Sequence, residues 1–229
     1  MAIYAIGDLH LSFGTDKPMD IFGKAWDNHP EKLIEGFSKI KDDDVVVLAG
    51  DLSWAMNFEG VIPDFKFVDR LPGKKLILKG NHDYWWETVS KIKRCFAENG
   101  IESIDILHNN AFIHEETVIC GTRGWFLDQG KADETNKVYK RELCRLEASL
   151  KAGEQLQGKR TVCVLHYPPL YDGYECKEIC ELLEKYKVSC CLYGHLHGGS
   201  HRLAFEGVKN GVEYKLISSD YLNFTPFLL

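Results

Sequence analysis

Val45-Val46-Val47-Leu48-Ala49-Gly50-Asp51 is the stretch that decides the fold class. Its five apolar residues open with three valines and show no polar face, so they read as a short buried strand rather than an amphipathic helix. The run closes on a glycine, which permits a sharp turn, and then on an aspartate at the strand's C-terminal end. The same grammar recurs four times. Ala2–Ile6 runs into Gly7-Asp8-Leu9-His10, and Leu76–Lys79 into Gly80-Asn81-His82-Asp83. Val162–Leu165 ends in His166, and Ser189–Tyr193 in Gly194-His195-Leu196-His197. Between these runs lie stretches with helical periodicity at Glu31–Ile40, Glu87–Glu98, Glu134–Lys151 and Glu175–Tyr186. The first follows Asp27-Asn28-His29-Pro30, a capping residue and a proline suited to a first helical turn. Ile104–Glu116 with Thr117–Cys120, and Arg202–Phe205 with Glu213–Ser218, predict hairpin strands. Buried strands alternating with helices predict a layered α/β fold. No repeat or Pro/Ser-rich linker interrupts the pattern, so a single domain over residues 1–229 is expected.

Composition narrows the classes. Apolar residues make up 45% and charged residues 27%, which excludes wholesale disorder and coiled coil. Lys and Arg number 28 against 34 Asp and Glu, a net charge of −6. That balance argues against nucleic acid as a partner, because duplex binding rests on basic side chains at phosphates. The N-terminus lacks a basic and apolar leader, and no run nears the ~20 apolar residues of a membrane span, so a cytoplasmic protein without membrane contact is expected. The eight cysteines include no Cys-x-x-Cys pair. Free thiols are therefore expected, with Cys163, Cys190 and Cys191 acting as small buried hydrophobes.

Five strand-like runs deliver metal-type donors at their C-terminal ends, the edge where open α/β sheets bind ligands. Asp8, His10, Asp51, Asn81, His166, His195 and His197 make seven donors, too many for one tetrahedral zinc. If one carboxylate bridges two ions, seven groups form eight bonds, four to each metal, and room is left for water or substrate. Imidazoles with carboxylate and amide oxygens suit manganese, iron or zinc, with magnesium or nickel as alternatives.

The ordered set Asp-x-His, Gly-Asp, Gly-Asn-His-Asp, His and Gly-His-x-His, spanning residues 7 to 197, resembles the calcineurin-like metallophosphoesterase superfamily. The resemblance implies a four-layer αββα sandwich of two mixed β-sheets flanked by helices. It implies a first ion held by Asp8, His10, Asp51 and His197, and a second held by Asp51, Asn81, His166 and His195. It further implies hydrolysis of a phosphomonoester or phosphodiester by in-line attack of a hydroxide shared by the ions. His82 would stabilise phosphoryl charge or protonate the leaving oxygen, and Asp83 would orient His82. Many relatives carry an aspartate three residues after the bridging one, where this chain has Trp54. That departure, with Asp83 in place of a glutamate, argues against a phosphoprotein phosphatase and for the small bacterial-type phosphohydrolases.

A small phosphorylated substrate is the partner expected. Arg123, in Gly121-Thr122-Arg123-Gly124-Trp125, is placed to clamp a phosphate bidentately or to form a salt bridge. Trp86 and Trp125, with Trp54, Tyr84 and Trp85, are candidates to stack on a flat group beside the phosphate. The apolar tail with Phe224, Phe227, Leu228 and Leu229 is expected to dock on its own domain or form a homodimer contact. Two other readings compete. One is a catalytically weak scaffold of the same fold, against which the complete ligand set argues. The other is a metal-dependent amide or lactone hydrolase. Against it, Asp8-x-His10 comes first and the His-x-His pair last, the reverse of an amidohydrolase barrel, and the His-x-His-x-Asp-His of lactamase-like folds is missing.

Overall fold

The structure, a computed structural model, describes residues 1–125 and 137–229. In chain order they form β1 (Ile3–Ile6), α1 (His29–Phe37), β2 (Val45–Leu48), α2 (Phe58–Arg70), β3 (Lys74–Ile77), α3 (Val89–Asn99) and β4 (Ile104–Ile106). Then follow β5 (Phe112–His114), β6 (Thr117–Thr122), α4 (Lys137–Glu154), β7 (Arg160–Leu165), β8 (Leu170–Tyr171) and β9 (Tyr174–Glu175). The chain ends with α5 (Lys177–Lys185), β10 (Cys190–Tyr193), β11 (Gly207–Lys209), β12 (Val212–Leu216) and β13 (Phe227–Leu228). These elements build two compact units, one of residues 1–106 with 217–229, the other of residues 107–216. Each carries a mixed sheet flanked by helices, the α/β class expected. No helix among the described residues is long and apolar enough to cross a membrane.

In the first unit the sheet order is β13-β1-β2-β3-β4. Strands β1 to β4 run parallel, with Ile6 beside Leu48 and Leu48 beside Ile77, so their C-terminal ends share one edge. Ile6, Val46, Leu48, Ile77, Ile104 and Ile106 pack with Leu33 and Phe37 of α1, Val61, Phe65 and Val68 of α2, and Ile92 and Phe96 of α3. Each such side chain contributes about 1.5–3 kcal/mol when fully buried. The apolar tail docks on this unit. Strand β13 pairs antiparallel with β1, and the buried Phe224 ring lies 5.3 Å from Trp26, edge to face. A Cβ on Gly36 would overlap the Phe224 carbonyl, so α1 and the tail touch backbone to backbone.

In the second unit the order is β11-β12-β10-β7-β6-β5. The four central strands are parallel and the two outer ones antiparallel. Leu165 of β7 stands beside Tyr193 of β10, so the residues that follow them leave the sheet side by side. Helices α4 and α5 cover the face that carries Cys120, Cys163, Leu165, Cys191, Tyr193 and Tyr214. Cys163, Cys190 and Cys191 are buried free thiols, as read from the sequence.

Two local expectations differ from the structure, and one helix is unexpected. Ile104–Glu116 is not one strand: β4 joins the first sheet and β5 the second. Arg202–Phe205 is not a strand, because Gly198–Leu203 forms a 3-10 helix and the hairpin partner of β12 is β11. Helix α2 has no counterpart among the sequence expectations, since Gly60 and Pro63 both weaken helical propensity. It forms because the Asn57 side chain caps the Gly60 amide and because its apolar face joins the core. The first residues of the helix read over Glu134–Lys151 lie outside the described residues, and the rest forms α4.

Candidate metal centre

The first unit supplies two buried carboxylates and an imidazole at the C-terminal edge of its sheet. Asp8 follows β1 and Asp51 follows β2, and their relative exposures are 0% and 1%. The exit loops of the two strands are zipped together: the Asp8 amide donates to Gly50, His10 to Asp51 and Leu11 to Leu52, each at 2.9 Å. Asp8, His10 and Asp51 have φ of 62°, 46° and 50°, left-handed values that cost a non-glycine residue about 1–2 kcal/mol each. Such conformations persist where the surroundings over-determine them, and they cluster at functional sites. The result is a tight group. A carboxylate oxygen of Asp8 lies within 4.8 Å of a ligand atom of His10 and of one of Asp51. His10 Nε2 is 3.8 Å from Asp51 Oδ2.

The β3 loop closes around Asp51. The His82 amide donates to Asp51 Oδ1 at 2.7 Å. Gly80 permits this approach, because a Cβ there would overlap both Oδ1 and the backbone nitrogen of Asp51. Asp83 has a role here that its position in the motif does not reveal. Its buried carboxylate accepts hydrogen bonds from the amides of Asp51, Leu52, Ser53 and Gly80 and from the Trp85 indole. It therefore ties the β2 and β3 exit loops to each other and holds Asn81 and His82 beside Asp51. A further support comes from Asp64 of α2, which accepts from the Ser53 hydroxyl and, at 2.8 Å, from the Phe13 amide. Burial pushes the Asp64 carboxyl up to about 6.

Trp54 takes a place among the imidazoles. Its ring stacks on His10 at 4.8 Å and lies 4.4 Å from His82. His10 also meets Trp26 edge to face at 5.6 Å. Aromatic walls fix ring orientations by packing, which a carboxylate at position 54 would do by hydrogen bonding.

The second unit supplies imidazoles. His166, fully buried, follows β7, and His195, with φ of 73°, follows β10. Their ring centroids are 5.1 Å apart. The Gly194 amide donates to the His166 carbonyl at 3.1 Å. His197 caps the 3-10 helix, its amide donating to Ser200 Oγ at 2.9 Å, and one of its ligand atoms lies within 4.8 Å of one of His201.

Arg123 supports this group through its backbone: its carbonyl accepts from the amides of His166 at 3.1 Å and Tyr167 at 2.9 Å. Thr122 of β6 is the register partner of Leu165, which puts the two following residues side by side. The Arg123 guanidinium pairs with the buried Glu142 at 3.2 Å, and Arg145 meets the same oxygen at 2.6 Å. Trp125 lies 5.3 Å from that guanidinium and 6.2 Å from Tyr167. Trp86 belongs to the first unit, where it packs against the core beside Trp85 at 5.2 Å. Arg123 and Trp125 thus stand together, and Trp86 stands on the other unit.

The donor chemistry fits metal. Two carboxylates taken out of water and set this close repel each other unless a cation or a proton intervenes. Neighbouring imidazoles are neutral ligands of transition metals. Carboxylates and imidazoles held at the C-terminal edges of parallel strands define a layered α/β protein whose donors could hold metal.

The chain belongs to the calcineurin-like phosphoesterase family, whose pattern it matches over residues 1–199. None of the curated proteins compared with it matches. Among solved structures, it resembles the phosphopantetheinyl hydrolase PptH from Mycobacterium tuberculosis, with a TM-score of 0.60 and 14% identity over 100% of this chain and 95% of that one. It also resembles AQ665 from Aquifex aeolicus, a protein of unknown function, with a TM-score of 0.52 and 15% identity over 99% and 95%. TT1561 of Thermus thermophilus gives a TM-score of 0.55 and 16% identity over 85% and 81%. At these identities the likeness is one of fold.

Proposed function

We propose that the protein is a binuclear-metal phosphoesterase acting on a small phosphorylated substrate. The observation that carries this reading is the buried Asp8–Asp51 pair beside His10, at the shared edge of β1 and β2, with the His82 amide on Asp51 Oδ1. In this reading Asp8, His10, Asp51 and His197 hold one ion, and Asp51, Asn81, His166 and His195 the other, the donors of both units acting together. Manganese, iron or zinc suits the set. When bound, the pair acts as a Lewis acid on phosphoryl oxygens and lowers the pKa of water.

The protein's own residues do the rest. Asp83 holds the loops, so the donors meet their ions without rearrangement. The His82 imidazole, packed against Trp54, offers a proton to the departing oxygen or neutralises phosphoryl charge. Arg123 positions His166 through its carbonyl, and Trp125 and Trp86 are proposed substrate contacts from the two units.

A panel of phosphoesters assayed with manganese, iron, zinc, magnesium and nickel tests the class. It should hold simple mono- and diesters, nucleotides and, because of the fold shared with PptH, a phosphopantetheinyl ester. Turnover that needs metal and stops with EDTA is expected. Metal-dependent turnover of amides or lactones, with none of phosphoesters, would overturn the reading.

A further inference from the structure

Lys17 is a half-buried cation beside the Trp54 ring. Its ammonium sits 3.2 Å from the centroid of the Trp54 ring, and Trp54 lies 4.4 Å from His82. No carboxylate among the described residues pairs with it. Lys91 and Lys93, by contrast, lie exposed on α3 and pair with Glu87 and Asp105, each at 3.1 Å.

The chain around Lys17 is built to present it. The Phe13 amide is fastened to the buried Asp64 at 2.8 Å. Gly14 lies against the Gly60 carbonyl so closely that a Cβ would not fit. The Trp54 indole donates to Met19 Sδ at 3.0 Å. Pro18 restricts Lys17 to extended backbone. A short segment tied at both ends therefore carries one half-buried lysine to the ring that touches His10 and His82.

A cation resting on an indole is held weakly and directionally, and it exchanges that contact readily for a charge-assisted hydrogen bond to a phosphate oxygen. The compact ammonium on its flexible stem suits such a transfer.

We propose that Lys17 is a substrate-binding residue that engages a non-bridging phosphoryl oxygen next to His82, and that it selects the dianionic phosphoryl group of a monoester over the monoanion of a diester. The inference rests on the phosphoesterase reading and names the substrate class of that same site. A monoester presents one more negative charge than a diester, and the Lys17 ammonium would match that charge by leaving the indole for a phosphoryl oxygen.

The test compares the metal-loaded wild type with Lys17→Met, Lys17→Arg and, as a surface-charge control, Lys66→Met on the exposed side of α2. Two readouts are taken at constant ionic strength: kcat/KM for p-nitrophenyl phosphate and for bis(p-nitrophenyl) phosphate, and the affinity for inorganic phosphate by calorimetry. Lys17→Met is expected to lower monoester kcat/KM about 10–100-fold, the worth of one hydrogen bond to a charged group. Diester turnover should change less than about 3-fold on the same scale. Phosphate affinity should fall with the monoester, Lys17→Arg should keep most of both, and Lys66→Met should match wild type. Equal losses on both esters, unchanged phosphate affinity in Lys17→Met, or a wild type that hydrolyses only the diester would overturn the proposal while leaving the phosphoesterase reading intact. A wild type that hydrolyses neither ester with any of the metals would instead bring down the reading on which it stands.

Discussion

Asp51→Asn is expected to lose its metal and its activity together. The substitution keeps the shape of the side chain and removes its charge. One amide oxygen can still accept from the His82 amide, as Oδ1 does in the native protein at 2.7 Å. The atom facing His10 becomes either a poor ligand or a donor. A shared carboxylate is the one donor whose loss weakens both ions, so metal content should fall from two per chain to one or none. The rate should fall at least ~10³-fold, because the chemistry supplied by the ions accounts for several kcal/mol of barrier. The stability of the metal-free protein should move the other way. With the charge of Asp51 gone, Asp8 no longer faces a buried like charge within 4.8 Å. Each kcal/mol so relieved raises the melting temperature by about 2–4 °C for a chain of this size. A metal-free variant that melts higher while binding less metal is the signature of a functional cluster held against its own repulsion. Elemental analysis and thermal unfolding of the same preparations check both halves. A variant with native metal content and native rate would contradict the role of Asp51.

His82→Ala is expected to separate what Asp51→Asn joins. Asp51 is held by the backbone amide of His82, so deleting the imidazole leaves that hydrogen bond and the loop in place. Asp83 continues to tie Gly80 to the β2 exit loop. Metal content should therefore stay native while kcat falls about 10²–10⁴-fold, the range for a positioned proton donor. Esters with good leaving groups, which need little protonation, should lose less than esters of alkyl alcohols. Full turnover in His82→Ala would remove the residue from the chemistry, and a loss of metal would make it a structural residue.

The strands and their donor-bearing ends are legible in the sequence because their chemistry is local. A valine run has few conformational options, and a Gly-Asp or Gly-His after it marks a sharp exit. What the sequence hides is tertiary. Asp83 stands next to His82 in the sequence, and its carboxylate also accepts amides from a loop about thirty residues away, which no local pattern announces. Arg123 draws attention through its guanidinium, while its carbonyl is the group that fixes His166. Trp54 reads as a missing carboxylate, but it packs on two imidazoles. Helix α2 is obscured by Gly60 and Pro63, whose local preferences core burial overrides. The division into two units leaves no mark because the chain passes between them at Ile106–Leu107 and Leu216–Ile217, apolar residues rather than a flexible linker.

The proposed function turns on two cations that share Asp51. A crystal of the protein grown with manganese, mapped by anomalous scattering at the metal edge, tests it most directly. Two peaks about 3.5–4 Å apart are expected. Both should touch Asp51, one sharing it with Asp8, His10 and His197 and the other with Asn81, His166 and His195. A map with no anomalous peak at Asp51, or with ions held only by other residues, would contradict it.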